Sequence, residues 1–285
     1  MKAVFLGATK GMGRALARLM AERGDRLFLL GRNADDLKTA GRDLEIRGAP
    51  QPVETAYCDL LDAASFAPAL DAAFHAMDGV DTVVVTAGLF AKQEEMENDA
   101  ELANRVLSAD FTGTVLFCEE ARKRLLAVYG LSNKSVSENT GATAGLSSSV
   151  FPGNITRTAG QAGSGAPFPS PTLCVFSSVA GDRGRKPVVL YGAAKAGLSQ
   201  YLEGLDHKYR SAGLRTVCVK PGFVATGMTA GLKPPPFAGE PEAVARRVLK
   251  AIDRGRPVVY APAAWRWVMC AIRKLPRCVM RKIEF

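Results

Sequence analysis

The feature that most constrains this chain lies in residues 3–24, where the apolar run AVFL passes directly into GATKGMG and then into RALARLMAERG. A short apolar strand, a glycine turn and an amphipathic helix in immediate succession form the first half of a β-α-β unit, and the next strand must lie parallel to the first. Gly7, Gly11 and Gly13 have the spacing G-x-x-x-G-x-G. Glycines there permit the sharp turn, bring the helix close to the strand and let backbone amides approach an anion at the positive end of the helix dipole. The turn therefore reads as a phosphate cradle.

The rest of the chain repeats the same alternation. Strands are predicted at 2–6, 27–31, 53–57, 81–86, 173–177, 215–220 and 257–260, and helices at 11–23, 33–47, 62–77, 98–128, 190–211 and 240–253. The strands are short, rich in Val and Leu and lack period-2 polarity, as expected of a parallel sheet buried on both faces. This predicts an α/β fold: a doubly wound parallel sheet between two helical layers, in one domain. Ligands of such sheets bind in the crevice at the carboxyl ends of the strands.

With 285 residues, 47% of them hydrophobic, the chain can bury a sizeable core without a second domain. The six cysteines form no C-x-x-C pair, and with only two histidines no zinc signature is present. The unpaired cysteines fit a reducing, cytoplasmic setting. The first strand begins within two residues of Met1, so a cleaved leader is not expected. Residues 131–171 are dominated by Ser, Thr, Gly, Ala, Asn and Pro and have little to offset the entropy of ordering, so they read as a disordered surface insertion, with a lid or partner-binding role as the alternative. The net charge of +9 comes without a nucleic-acid motif or an aromatic-basic stripe, and nucleic acid is not an expected partner.

Tyr191 and Lys195 in YGAAK lie on one helix face (i, i+4), and Ser178 ends the strand before them. A nearby ammonium favours the phenolate, so this pair suits proton exchange at neutral pH. Of the two serines ending that strand, alternation directs Ser177 to the opposite face. In collinear order, Gly7, Gly11 and Gly13, Asp59 in CDL, Ala87-Gly88 in VVVTAG, Ser178, Tyr191, Lys195, and Pro221-Gly222 with Thr226 match the pattern of the short-chain dehydrogenases/reductases. The resemblance runs from Met1 to about Tyr260. Three positions depart from the pattern: Leu6 replaces a threonine, Val85-Thr86 replace an Asn-Asn pair, and Asp110 stands where the family has a helix asparagine.

The resemblance implies a Rossmann-like domain over 1–260 and an oxidoreductase interconverting carbonyl and alcohol groups. In that scheme Tyr191 is the general acid, Ser178 donates a hydrogen bond to the carbonyl oxygen, and Lys195 lowers the tyrosine pKa and binds the nicotinamide ribose. Asp110 takes the position of the asparagine that holds a proton-relay water; the alternative is that it only faces solvent. The cofactor-binding set implied is Gly7, Thr9, Lys10, Gly11, Met12, Gly13, Arg32, Asp59, Leu60, Ala87, Gly88, Tyr191, Lys195, Pro221, Gly222, Val224 and Thr226. Asp59 would contact the adenine amino group, or else serve as a helix N-cap. No acid ends the second strand, while Lys10 and Arg32 are placed for a 2′-phosphate, which points to NADP(H).

The substrate is expected to be a small apolar carbonyl or alcohol compound, roofed by residues after the sixth strand that include Met228, Leu232 and Phe237. A non-catalytic NADP(H)-binding sensor or scaffold of the same fold is the alternative function; the intact Ser178, Tyr191 and Lys195 set favours the enzyme. A homo-oligomer is expected. Residues 261–285 form a basic amphipathic tail in which Trp265, Val268, Met269 and Ile272 recur at helical spacing. Its apolar face is expected to dock on the body or on a second subunit, with contact at an anionic membrane surface as the alternative.

Overall fold

The first strand fixes the frame of the computed structural model, which describes residues 1–50, 52–138, 170–229, 231, 234 and 237–283. Strand β1 (Lys2–Leu6) is buried on both faces: Ala3 and Phe5 enter one apolar cluster, Val4 and Leu6 the other. It sits inside a seven-stranded parallel sheet with β2 (Arg26–Gly31), β3 (Thr55–Tyr57), β4 (Thr82–Val85), β5 (Thr172–Phe176), β6 (Arg215–Pro221) and β7 (Val258–Ala261). The strand order is β3-β2-β1-β4-β5-β6-β7, with every neighbouring pair parallel. Connectivity reverses between β1 and β4. The crevice outside their carboxyl ends is the ligand position of an open α/β sheet.

The two apolar faces are covered by separate helical layers. On one, α1 (Gly11–Glu22) packs with α2 (Ala34–Ile46) and α8 (Pro241–Asp253), contributing Leu16, Met20, Leu37 and Val248. On the other, α3 (Phe66–Ala76), α6 (Thr114–Glu138) and α7 (Val189–Tyr209) contribute Phe66, Leu70, Phe117 and Leu198. Phe66 and Phe117 meet edge to face at 5.6 Å. Asn33 begins α2 by accepting hydrogen bonds from the Asp35 and Asp36 amides, and these two acids complement the helix dipole. Pro241 begins α8 in the first helical turn, where its missing N–H costs nothing.

The helix expected over 98–128 is several elements. Helix α4 (Gln93–Asn98) stops before Asp99, whose carboxylate accepts from the Leu102 amide and starts α5 (Ala100–Leu107). A π-helical turn, Ser108–Gly113, then leads into α6. Thr114 Oγ1 donates to the Ala109 carbonyl at 2.7 Å, bridging the widened turn. At Gly113 a side chain would run into the carbonyl of Leu60, so the close approach requires glycine. The wider turn rotates Asp110 fully into the protein.

Helix α6 continues to Glu138, which corrects the start of the insertion expected over 131–171; residues 139–169 of that segment lie outside the described residues. After β7 the chain forms α9 (Trp265–Lys274) and α10 (Arg277–Met280). Trp265, Met269 and Ile272 are buried with Val179, and Phe223 and Tyr260 pack against them, so the tail docks on the body of its own chain as expected. Val268 is only partly buried in that seam. Among the described residues no helix is long and apolar enough to cross a membrane.

Candidate active site

At the β1 turn, Gly7 and Gly11 have φ of +105° and +55°, a region that favours glycine. A side chain on Gly7 would come within 2.5 Å of the Ala87 amide nitrogen, and one on Gly13 would overlap the Gly7 carbonyl. Thr86 Oγ1 donates to that same carbonyl at 2.8 Å, which ties the turn to the end of β4. Thr86 thus makes use of its departure from the family pattern. The result is a glycine-lined cradle facing the amino end of α1.

The cradle opens into a cleft of about 420 Å³. Twelve of the expected cofactor residues line it: Gly7, Thr9, Lys10, Gly11, Met12, Gly13, Arg32, Asp59, Leu60, Ala87, Gly88 and Thr226. Asp59 accepts from the Leu61 amide, and the cap of the following helical turn is Asp62, so the N-cap alternative for Asp59 does not hold. The Cys58 thiol, also in the lining, is pushed up to about 12, chiefly by burial, and stays a thiol at neutral pH.

Sequence reasoning missed Asp36 in this cleft. Its carboxylate lies 3.6 Å from Lys10 Nζ in an exposed pair, so the corner of the cleft that holds Lys10 and Arg32 contains an acid after all, contributed by the first turn of α2 rather than by the strand end. The pattern Asn33-x-x-Asp36 was the available signal, since a capped helix start directs its third residue back toward the strand end. Arg32 is exposed and takes part in no ion pair among the described residues.

Pro221, Gly222 and Val224 do not line the cleft. Val224 is buried in the core, Pro221 is buried in β6, and Gly222 lies under the indole of Trp265, which leaves no room there for a side chain. Trp265 Nε1 donates to the Phe237 carbonyl at 3.2 Å. The tail therefore holds down the end of β6 and the start of the segment leading into α8.

Ser178, Tyr191 and Lys195 gather beyond the carboxyl end of β5. Ser178 is half-buried, and its Oγ accepts from the Ala180 amide at 3.1 Å, opening a 3-10 turn, Val179–Asp182. Ser177 points to the other side, where it donates to the Lys195 carbonyl and meets Ser199 Oγ at 2.7 Å. It serves packing, as strand alternation predicts. Asp182 accepts from Lys220 and the Tyr260 hydroxyl, and Arg183 donates to the Leu275 carbonyl, so the Ser178 turn is clamped to β6, β7 and the tail.

The Tyr191 ring stands edge to face on Phe90 at 5.2 Å. Gln93 Oε1 accepts from the Leu190 amide at 3.1 Å and so anchors the start of α7; this residue was not identified from sequence, where 93–97 was not read as helical. Burial, then the nearby Asp110 carboxylate, raise the Tyr191 phenol pKa, while a hydrogen bond with Ser178 opposes them. The expectation that Lys195 lowers it is corrected. Lys195 is buried, with Nζ donating to the Phe176 carbonyl at 3.3 Å and lying 3.5 Å from Asp110 Oδ1, so its charge is directed to the acid rather than to the phenol oxygen.

Asp110 is 0% exposed, which removes the solvent-facing alternative. Oδ1 also accepts from the Leu89 amide at 2.9 Å, and Gly88 admits it because a side chain there would come within 2.5 Å of that oxygen. Oδ2 is buried without a hydrogen-bond partner among the described residues. Burial raises the Asp110 pKa, against the pull of Lys195 and the Leu89 N–H.

A family model described as short chain dehydrogenase matches residues 1–133 and 172–236. The chain belongs to the short-chain dehydrogenase family. As a member it is an oxidoreductase acting on alcohol or carbonyl groups, and the family binds a nicotinamide dinucleotide. The match leaves out residues 134–171, which fall within the segment read as an insertion, and it stops short of Tyr260. An uncharacterized oxidoreductase of Mycobacterium tuberculosis is 31% identical over 280 residues, covering 98% of this short-chain dehydrogenase and 96% of the relative, so the likeness there extends into the tail. Cis-4-hydroxycyclohexanecarboxylate dehydrogenase of Sinomonas cyclohexanicum is 29% identical over 233 residues, 81% of this chain and 76% of its own. The fold is shared with a short-chain type dehydrogenase/reductase from Mycobacterium ulcerans, with a TM-score of 0.69 at 18% identity, over 91% of this chain and 87% of that one.

Proposed function

We propose that this short-chain dehydrogenase is an NADPH-dependent reductase of an apolar ketone or aldehyde, with Tyr191 as general acid. The observation that carries the reading is the meeting of Ser178, Tyr191 and Lys195 beyond β5, at the same end of the sheet as a glycine cradle that side chains on Gly7 or Gly13 would fill. The cradle fits a dinucleotide: Gly7, Gly11 and Gly13 would face its pyrophosphate at the amino end of α1, and Asp59 and Leu60 would flank its adenine. When bound, NADPH supplies the hydride.

The residues of the chain supply the proton and the hold on the substrate. Tyr191 keeps its proton through the neutral range, because burial and Asp110 raise its pKa, and it gives that proton to the substrate carbonyl oxygen. Ser178 Oγ accepts from Ala180, and its own proton, directed at the Tyr191 oxygen in this structure, would turn to the substrate carbonyl oxygen when that oxygen sits between them. Lys195 holds the nicotinamide ribose while Asp110 and the Phe176 carbonyl fix its ammonium. Arg32 and Lys10 favour the 2′-phosphate form; the Lys10–Asp36 pair is exposed and therefore weak, so a phosphate dianion displaces it. Half-exposed Phe237 supports an apolar substrate. Leu232 and the side chain of Met228 lie outside the described residues. Six free thiols, four of them buried, support a reducing cytoplasm as the compartment.

The test is turnover of NADPH by the purified protein across a panel of ketones and aldehydes. Reduction of at least one apolar member, with NADH a much poorer donor, is the expected result. Tight NADPH binding without turnover across the panel would instead favour the sensor or scaffold reading.

A further inference from the structure

We infer that the outer face of α9 and α10 is an interaction surface for an anionic lipid bilayer. The inner face of α9 is committed to the body through Trp265, Met269 and Ile272. Successive residues of a helix are spaced 100° apart, so Arg266, Trp267, Cys270 and Lys274 form the opposite face, and all four are exposed. Arg277, Arg281 and Lys282 continue the exposed cations through α10. No acid lies between Asp253 and Glu284. Arg273 turns back to the Tyr260 hydroxyl, but Arg266, Lys274, Arg277, Arg281 and Lys282 take part in no ion pair among the described residues.

Trp267 is the second observation. It is 72% exposed, the indole being held beside the Arg266 guanidinium at 5.6 Å rather than folded into the seam with Trp265. An indole with an apolar body and one N–H donor suits the boundary between headgroups and acyl chains, and flanking cations are attracted by anionic headgroups. Exposed Val279 adds apolar surface in the same segment. Nucleic acid would explain the cations, but not the single bare indole without a stacking platform or groove. Because the inner face is already packed, binding requires no unfolding of the helix, and the bilayer meets a preformed face.

The experiment is sedimentation of the full chain with phosphatidylserine–phosphatidylcholine vesicles, with phosphatidylcholine vesicles and a DNA duplex as comparators. The expected result is binding to the anionic vesicles alone, released as salt rises. Trp267→Ser, and separately the triple change Arg277→Gln, Arg281→Gln, Lys282→Gln, should each weaken binding by about tenfold or more while leaving the melting temperature unchanged. Failure to bind anionic vesicles at low salt overturns the inference. So does binding that neither variant weakens, or a preference for DNA that survives Trp267→Ser, which would identify a purely electrostatic nucleic-acid surface.

Discussion

Lys195 Nζ lies 3.5 Å from Asp110 Oδ1, and both side chains are almost wholly withdrawn from solvent. The pair places a carboxylate where the family pattern has a neutral amide. Burial resists its ionisation, Lys195 and the Leu89 N–H favour it, and its charge in turn raises the pKa of Tyr191. Acid, lysine and phenol therefore form one electrostatic unit.

The pH dependence follows from that unit. In the proposed mechanism alcohol oxidation needs the tyrosinate as base, so with a raised phenol pKa its rate should climb toward alkaline pH, while carbonyl reduction, which would use the protonated phenol, should hold through neutral pH. Asp110→Asn keeps an acceptor for the Leu89 amide and removes the charge. Its oxidation profile should shift to lower pH. Asp110→Ala should be the more damaging change, costing about 3–5 kcal/mol, because it removes the counter-charge of buried Lys195 and also the acceptor of the Leu89 amide.

The cradle makes a steric prediction. A methyl at position 13 would overlap the Gly7 carbonyl, which Thr86 also holds. Gly13→Ala should destabilise the fold by about 1–3 kcal/mol and abolish measurable NADPH binding in a fluorescence titration. Gly24→Ala, where a methyl meets nothing within 4 Å, should leave cofactor affinity untouched despite the strain of its φ.

Cofactor choice separates into two single-site tests. Arg32→Asp should lower affinity for NADPH relative to NADH by the loss of a charge-assisted contact, about 1.5–3 kcal/mol. Asp36→Asn should act in the opposite direction by releasing Lys10, and it should raise NADPH affinity. Equal titrations of wild type with NADPH and NADH would contradict the assignment of the 2′-phosphate corner.

The two tail tryptophans should behave differently. Trp265 is buried against Gly222 and near Val179, so Trp265→Ala should cost about 3–5 kcal/mol in denaturant unfolding and loosen the turn that carries Ser178. Trp267 is bare, and Trp267→Ser should change stability by less than about 0.5 kcal/mol.

The sheet was legible because each strand is a short apolar run bounded by turn residues, and the cradle because its glycines have a fixed spacing. The break of the long helix was not. Its π turn depends on Gly113 meeting Leu60 and on the bond from Thr114 to Ala109, and local periodicity carries neither contact. Asp110 was placed by resemblance alone; its burial, its pairing with Lys195 and the redirected lysine charge are tertiary facts. Asp36 was hidden for a simpler reason: attention to the strand end passes over an acid that the helix cap returns to the same corner.

The most direct test of the account is Tyr191→Phe, measured for turnover and for NADPH affinity in the same preparation. The ring keeps its edge-to-face contact with Phe90, while the proton that reduction consumes is gone. The account predicts near-complete loss of carbonyl reduction with NADPH affinity close to wild type. Near-normal reduction of any accepted carbonyl substrate by Tyr191→Phe would contradict it.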